Sequence, residues 1–247
     1  MNDTARVALV TGSARRIGAA IARRLHAAGF DLALHYRGSG AQMQVLCAEL
    51  EAARAGSVLS LQADLDHPHS WESLVADTVA RFGRLDALVN NASSFEATPV
   101  GSTRLQDWDA LFSSNARAPF FLAQAAAPHL RATRGAIVNL VDIHAQRPLP
   151  RHTVYCMAKA ALVMATRSLA LELAPEVRVN AIAPGAILWA EAEPPSAAQQ
   201  QAMLARTPLG RTGTPAEVAD AVQWLVQGAS YTTGQVIAID GGRSLAE

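Results

Sequence analysis

Val7-Ala8-Leu9-Val10-Thr11-Gly12-Ser13-Ala14-Arg15-Arg16-Ile17-Gly18, continuing as Ala19-Ala20-Ile21-Ala22-Arg23-Arg24-Leu25, decides the fold of this chain. Four apolar residues in a row read as a buried strand. A glycine turn follows, and apolar residues then recur at helical spacing until Gly29, which stands where a C-cap is expected. Strand, glycine turn and helix together predict a phosphate cradle. Glycines let the backbone approach a pyrophosphate, and the helix N-terminus faces its charge. The spacing is looser than GxGxxG, with Arg16 between Gly12 and Gly18, and a glycine turn in such a place is common in itself.

The next strand is expected over 30–36. Dinucleotide folds carry an acid at the end of this strand for the adenosine ribose hydroxyls. Here the sequence runs His35-Tyr36-Arg37-Gly38-Ser39, with Arg15 and Arg16 in the facing turn. Cations and a hydroxyl suit a 2′-phosphate, which points to NADPH rather than NADH. The competing reading is a solvated basic loop.

Further outward, strands and helices alternate. A helix over 41–54 precedes a strand over 58–63 that runs into Asp64 and Leu65. His67-Pro68-His69 lacks metal-ligand partners and reads as a turn before a helix that ends at Gly83. A strand over 85–90 opens into Asn91-Ala92-Ser93-Ser94-Phe95, where Phe95 is either a loop anchor or a stacking plate for a flat ligand. One long helix is expected over 108–130, holding Asn115 and bent at Pro119. A fifth strand over 136–141 reaches Asp142, where active-site groups of open α/β sheets gather.

Tyr155 and Lys159 stand one helical turn apart on one face. An ammonium beside a phenol stabilises the phenolate and makes proton exchange practical. Taken alone, the pair reads better as a chance feature of a solvated helix face, and the rest of the chain reverses that preference. That helix is apolar almost all round, so a second face needs cover, and a partner subunit is expected to supply it. A strand over 177–182 leads to Pro184-Gly185 and an irregular stretch carrying Leu188 and Trp189. This segment, around 186–206, reads as a substrate lid, with a surface excursion as the alternative. Thr214-Pro215-Ala216-Glu217 is a capping box, and a last strand ends at Asp240.

The chain has 247 residues, 50% hydrophobic and 17% charged, which suits a well-buried α/β core. Its 21 basic and 21 acidic residues leave no field to recruit nucleic acid or an anionic membrane. Cys47 and Cys156 form neither a disulfide framework nor a metal motif, and no metal is expected. No signal-peptide core or run of membrane-spanning length is read, so a soluble cytoplasmic protein is expected. Without a break or repeat, residues 1–247 read as one doubly wound, Rossmann-type domain. It has a mostly parallel seven-stranded sheet with helices on both faces.

The whole chain resembles the short-chain dehydrogenase/reductase family through Thr11-Gly12…Gly18, Asp64, Asn90-Asn91-Ala92, Asn115, Tyr155…Lys159, Pro184-Gly185 and Asp240-Gly241-Gly242. The resemblance implies Tyr155 as proton donor or acceptor and Lys159 as the group that holds the nicotinamide ribose and lowers the tyrosine pKa. It implies Asn115 in a water relay, Asp64 beside the adenine, and Asn91 lining the cofactor site. Two positions depart from the family. Ser93 replaces a glycine, and Val141-Asp142 stands where a serine donates to a substrate carbonyl. An ionised carboxylate cannot donate to a carbonyl and repels a developing alkoxide.

Arg16, His35-Tyr36, Asn91 to Phe95, Ser114-Asn115-Ala116…Pro119, Asp142 and Tyr155 to Lys159 look like the pteridine reductase branch. That resemblance implies an NADPH cofactor, a pterin or folate substrate, and a homotetramer. Phe95 would stack on the pterin, Ser93 and Arg16 would touch pterin and cofactor, and Asp142 with Tyr155 would deliver a proton. An ion pair of Asp142 with Arg147 is the alternative for that residue. Two other functions compete: reduction of carbonyls such as 3-ketoacyl thioesters, and NADPH sensing without turnover.

Overall fold

The computed structural model describes residues 5–188 and 195–246. Seven strands form one sheet in the order β3-β2-β1-β4-β5-β6-β7, and every neighbouring pair is parallel. The strands are β1 Val7–Val10, β2 Asp31–Tyr36, β3 Val58–Gln62, β4 Ala87–Asn90, β5 Ala136–Leu140, β6 Arg178–Pro184 and β7 Val236–Ile239. The order reverses between β1 and β4, so a crevice opens beyond their C-terminal ends, where ligands bind in such sheets.

The alternation of strand side chains divides the core. Ala8 and Val10 of β1 pack with Ile21 and Leu25 of α1 (Arg16–Ala27), Met43 and Leu46 of α2 (Gly40–Ala53), and Val218 and Val222 of a later helix, Pro215–Gln223. Val7 and Leu9 face the other way, onto Leu74 of α3 (His69–Phe82) and Leu122 and Leu130 of α5 (Ala118–Thr133). Both faces of β1 are therefore buried, as its unbroken apolar run requires.

The single helix expected over 108–130 is three pieces. α4 (Leu105–Phe112) passes into a π turn, Ser113–Arg117, and then into α5. Asn115 lies in the π turn. Pro119 is the second residue of α5, directly after the π turn.

α6 (Thr153–Glu172) is the helix read as apolar almost all round. It has 20 residues and mean hydropathy 1.3, long and apolar enough by composition to cross a membrane. Half of it is buried in the protein: β6 packs on one side, and α4 and the π turn on the other. The same chain thus covers much of the second face. Met157, Met164 and Leu171 stay exposed.

Of the expected lid, α7 (Ala197–Ala205) is described, with Ser196 and Gln199 in a capping box. Trp189 lies outside the described residues. α8 (Pro215–Gln223) begins at the capping box read from the sequence: Glu217 N–H donates to Thr214 Oγ1, and Thr214 N–H donates to Glu217 Oε2.

Candidate active site

Two adjoining cavities sit at the crevice. The larger, of about 530 Å³, is lined by the glycine turn, the residues after β2, Asp64 and Leu65 after β3, and Asn91 to Ser94 after β4. Gly12, Arg15, Arg16, Ile17, Gly18, His35, Tyr36, Arg37, Ser39, Asp64, Leu65, Asn91, Ala92 and Ser93 all line it. The smaller brings Asp142, Tyr155 and Lys159 together with Pro184, Gly185 and Leu188. Arg16, Ile17, Asn91 and Ser93 line both, so the cavities are continuous through the glycine turn.

Close packing holds the turn. Gly12 has φ +61, and a Cβ there would come 2.8 Å from Ala92 Cα. A Cβ on Gly18 would collide with the Gly12 carbonyl oxygen and lie 2.7 Å from Asn91 Nδ2. Asn91 Nδ2 donates to the carbonyls of Thr11 and Gly12, both at 2.9 Å. Thr11 Oγ1 accepts from the N–H groups of Asn91 and Ala92, both at 3.0 Å. Thr11 therefore ties the β1 and β4 loops together. The sequence quoted Thr11 without a role for it, because its partners lie some eighty positions away.

His35 lines the larger cavity. It is buried at the end of β2 and accepts from the Gly12 N–H at Nδ1 (3.2 Å), while Nε2 contacts the Ala63 carbonyl oxygen (3.1 Å). Burial pushes its pKa down. His35 is a neutral ring serving the backbone and brings no cation to a phosphate. Arg15, Arg37 and Ser39 remain around the cavity, and no acid ends β2. A helix N-terminus, guanidinium groups and a hydroxyl suit the phosphates of a dinucleotide.

In the smaller cavity, the Tyr155 hydroxyl donates to Asp142 Oδ2 at 2.7 Å. Asp142 Oδ1 accepts the His144 N–H at 2.9 Å, which fixes the carboxylate at the end of the strand. Arg147 donates to the Ser244 carbonyl at 2.6 Å. Burial and then the Asp142 charge raise the Tyr155 pKa well above 10, with Ser93 opposing. Lys159 Nζ donates to the Leu140 carbonyl at 2.8 Å and lies 5.8 Å from the Tyr155 ring centroid. Burial pushes its pKa down to about 8, against the pull of Asp142. Burial and Asp142 thus favour the protonated phenol.

Asn115 is fully buried and satisfied. Nδ2 donates to the carbonyls of Ser94 (2.9 Å) and Leu111 (3.0 Å), and Oδ1 accepts from Ser93 Oγ (2.7 Å). Both amide hydrogens are spent on protein atoms, so the Asn115 side chain clamps the Ser93-Ser94 turn. Phe95 is half exposed and lines neither cavity. It stacks on His152 (ring centroids 4.5 Å apart, 14° between planes) and meets Tyr155 edge-on at 4.8 Å. His152 was missed from sequence, where nothing marks it as the support of a ring so far upstream. Among the described residues, no group of three or more His, Cys, Asp or Glu could hold a metal ion.

Residues 12–244 match the family model described as enoyl-(acyl carrier protein) reductase. Pteridine reductase 1 of Leishmania tarentolae is 39% identical, with 99% of this chain and 98% of that protein covered. Glucose 1-dehydrogenase 2 of Bacillus subtilis is 34% identical (98% and 96% covered), and a 3-oxoacyl-(acyl-carrier-protein) reductase of Staphylococcus aureus is 34% identical (95% and 96%). With the parallel sheet, the glycine cradle and the Tyr155–Lys159 pair, these matches make the chain a member of the short-chain dehydrogenase/reductase family, an NAD(P)-dependent oxidoreductase.

Proposed function

We propose that this protein is an NADPH-dependent reductase of pterins. The observation that carries the proposal is the hydrogen bond from Tyr155 to Asp142, a carboxylate where a carbonyl reductase needs a donor. Bound NADPH supplies a hydride. Tyr155 holds on its phenolic oxygen the proton that a reduced C=N bond requires at nitrogen. Asp142 orients that proton and accepts from the N–H and NH₂ groups that a pterin presents. Arg15, Arg37 and Ser39 support a 2′-phosphate, and hence NADPH. Phe95 stands beside Tyr155 with half its surface open, and a flat heterocycle suits such a ring.

Carbonyl reduction is the second reading, because 3-oxoacyl reductases are among the similar proteins. The test is NADPH oxidation by the purified protein with dihydrobiopterin, dihydrofolate or a 3-ketoacyl thioester. Turnover of the pterins alone is expected. Turnover of the thioester alone would return Asp142 to a structural role. A homo-oligomer belongs to the same proposal, supported by exposed Met157, Met164 and Leu171 on α6 and Phe120 on α5. Sedimentation would show a tetramer.

A further inference from the structure

His35 is 2% exposed, yet both ring nitrogens are engaged by backbone atoms of two different loops. A carbonyl oxygen only accepts, so the contact with Ala63 puts the proton on Nε2. The Gly12 N–H only donates, so the Nδ1 it meets carries a lone pair. The neutral Nε2–H tautomer alone satisfies both. The backbone of the same residue reinforces the hold: the His35 carbonyl accepts from Ser13 N–H at 2.9 Å and from Ser13 Oγ at 3.1 Å. Residues 12 and 13 therefore hang from His35 by three hydrogen bonds, at the point where Gly12 takes its left-handed conformation against Ala92.

We infer that His35 is the positioning residue of the cofactor cradle: its neutral Nε2–H tautomer holds Gly12 in place, and a proton on Nδ1 releases the glycine turn and weakens the dinucleotide. A protonated ring would set an N–H donor against the Gly12 N–H, and neither hydrogen bond partner could turn away without opening the turn. The charged groups around the cavity that His35 lines are Asp64 and Asp66 after β3, Arg15 and Arg16 on the turn, and Arg37 after β2. Of these, Asp64 acts on the ring, raising its pKa, and the Ala63 contact raises it too. Burial outweighs both, so titration falls below the ordinary 6.5. Because the folded pKa is the lower one, the stability this ring contributes is complete above 6.5 and is lost progressively as pH falls from there to the lower folded pKa.

The inference rests on dinucleotide binding and not on which substrate is reduced. The test is fluorescence titration with NADPH from about pH 5 to about pH 8, with hydrogen exchange at residues 12 and 13. It compares the wild type with His35→Asn, His35→Gln and His35→Leu. An asparagine amide reaches the place of Nδ1 and can accept from Gly12, whereas a glutamine amide reaches the place of Nε2 and cannot. His35→Asn is expected to bind NADPH at neutral pH within about threefold of wild type and to lose the weakening at acid pH. His35→Gln and His35→Leu are expected to bind about tenfold more weakly, the worth of a buried donor left without its partner, with faster exchange at residues 12 and 13. Wild-type affinity in His35→Gln, or an acid limb that survives in His35→Asn, would overturn the inference. Thermal melts identify a variant that has failed to fold, and in that event the pH profile of His35→Asn decides.

Discussion

Tyr155 and Asp142 share a hydrogen bond of 2.7 Å in which the phenol is the donor, while the buried Lys159 donates to the Leu140 carbonyl with its Nζ 5.8 Å from the Tyr155 ring centroid. The relationship fixes the direction of the chemistry. The carboxylate and burial together hold the phenol in its protonated form far above neutral pH. A group kept protonated until it meets a more basic atom serves reduction, where a proton must follow the hydride.

Lys159 has a cost that depends on pH. Its folded pKa of about 8 lies below the ordinary 10.5, so between these values the unfolded chain binds more protons, and stability rises with pH. A depression of this size corresponds to roughly 3 kcal/mol at most. Urea unfolding of wild type and Lys159→Met at about pH 7.5 and about pH 9.5 is expected to show the wild type gaining on the variant as pH rises. A difference that stays constant would mean that the ammonium is not strained by burial.

Gly18→Ala tests the cradle as a close-packed object. Its Cβ would strike the Gly12 carbonyl oxygen and crowd Asn91 Nδ2, and both belong to backbone held by short hydrogen bonds. Overpacking of this kind costs about 1–3 kcal/mol or more. Calorimetry is expected to show a lowered Tm, and NADPH titration a Kd at least about tenfold weaker. Unchanged binding would mean that the turn relaxes freely.

Much of this architecture was legible in the chain. Val7 to Val10 and Ala136 to Leu140 are short apolar runs buried on both sides, so composition alone marked them as central strands. Asp142, Tyr155 and Lys159 were readable because a strand end and a helical turn have fixed geometry. The π turn at Ser113–Arg117 was not, since one extra residue in a helical turn leaves no trace in apolar spacing. The hold of His35 on the glycine turn was illegible for a different reason. Its partners are backbone groups 23 and 28 positions away, which no local pattern announces. Asn115 was legible as a site residue, but its partners in the Ser93-Ser94 turn lie 21 and 22 positions upstream and became visible only in three dimensions.

Phe95→Ala separates the stacking plate from the loop anchor. The ring rests on His152 and touches Tyr155, so its loss leaves the cofactor cavity untouched. An aromatic contact worth about 0.5–1.5 kcal/mol converts to a KM for dihydrobiopterin raised by about two- to tenfold. The Kd for NADPH is expected to stay the same. An unchanged KM with a lowered Tm would make Phe95 an anchor only.

The most direct test of the account is steady-state reduction of dihydrobiopterin by Asp142→Ser beside the wild type, with the Kd for NADPH measured on the same samples. Replacing the carboxylate takes away the negative charge that accepts the phenol proton and pairs with pterin N–H groups, leaving only a shorter neutral hydroxyl. A kcat lowered by about a hundredfold or more is expected, the scale of a positioned proton transfer, with NADPH binding unchanged. Pterin turnover at the wild-type rate in Asp142→Ser would contradict it.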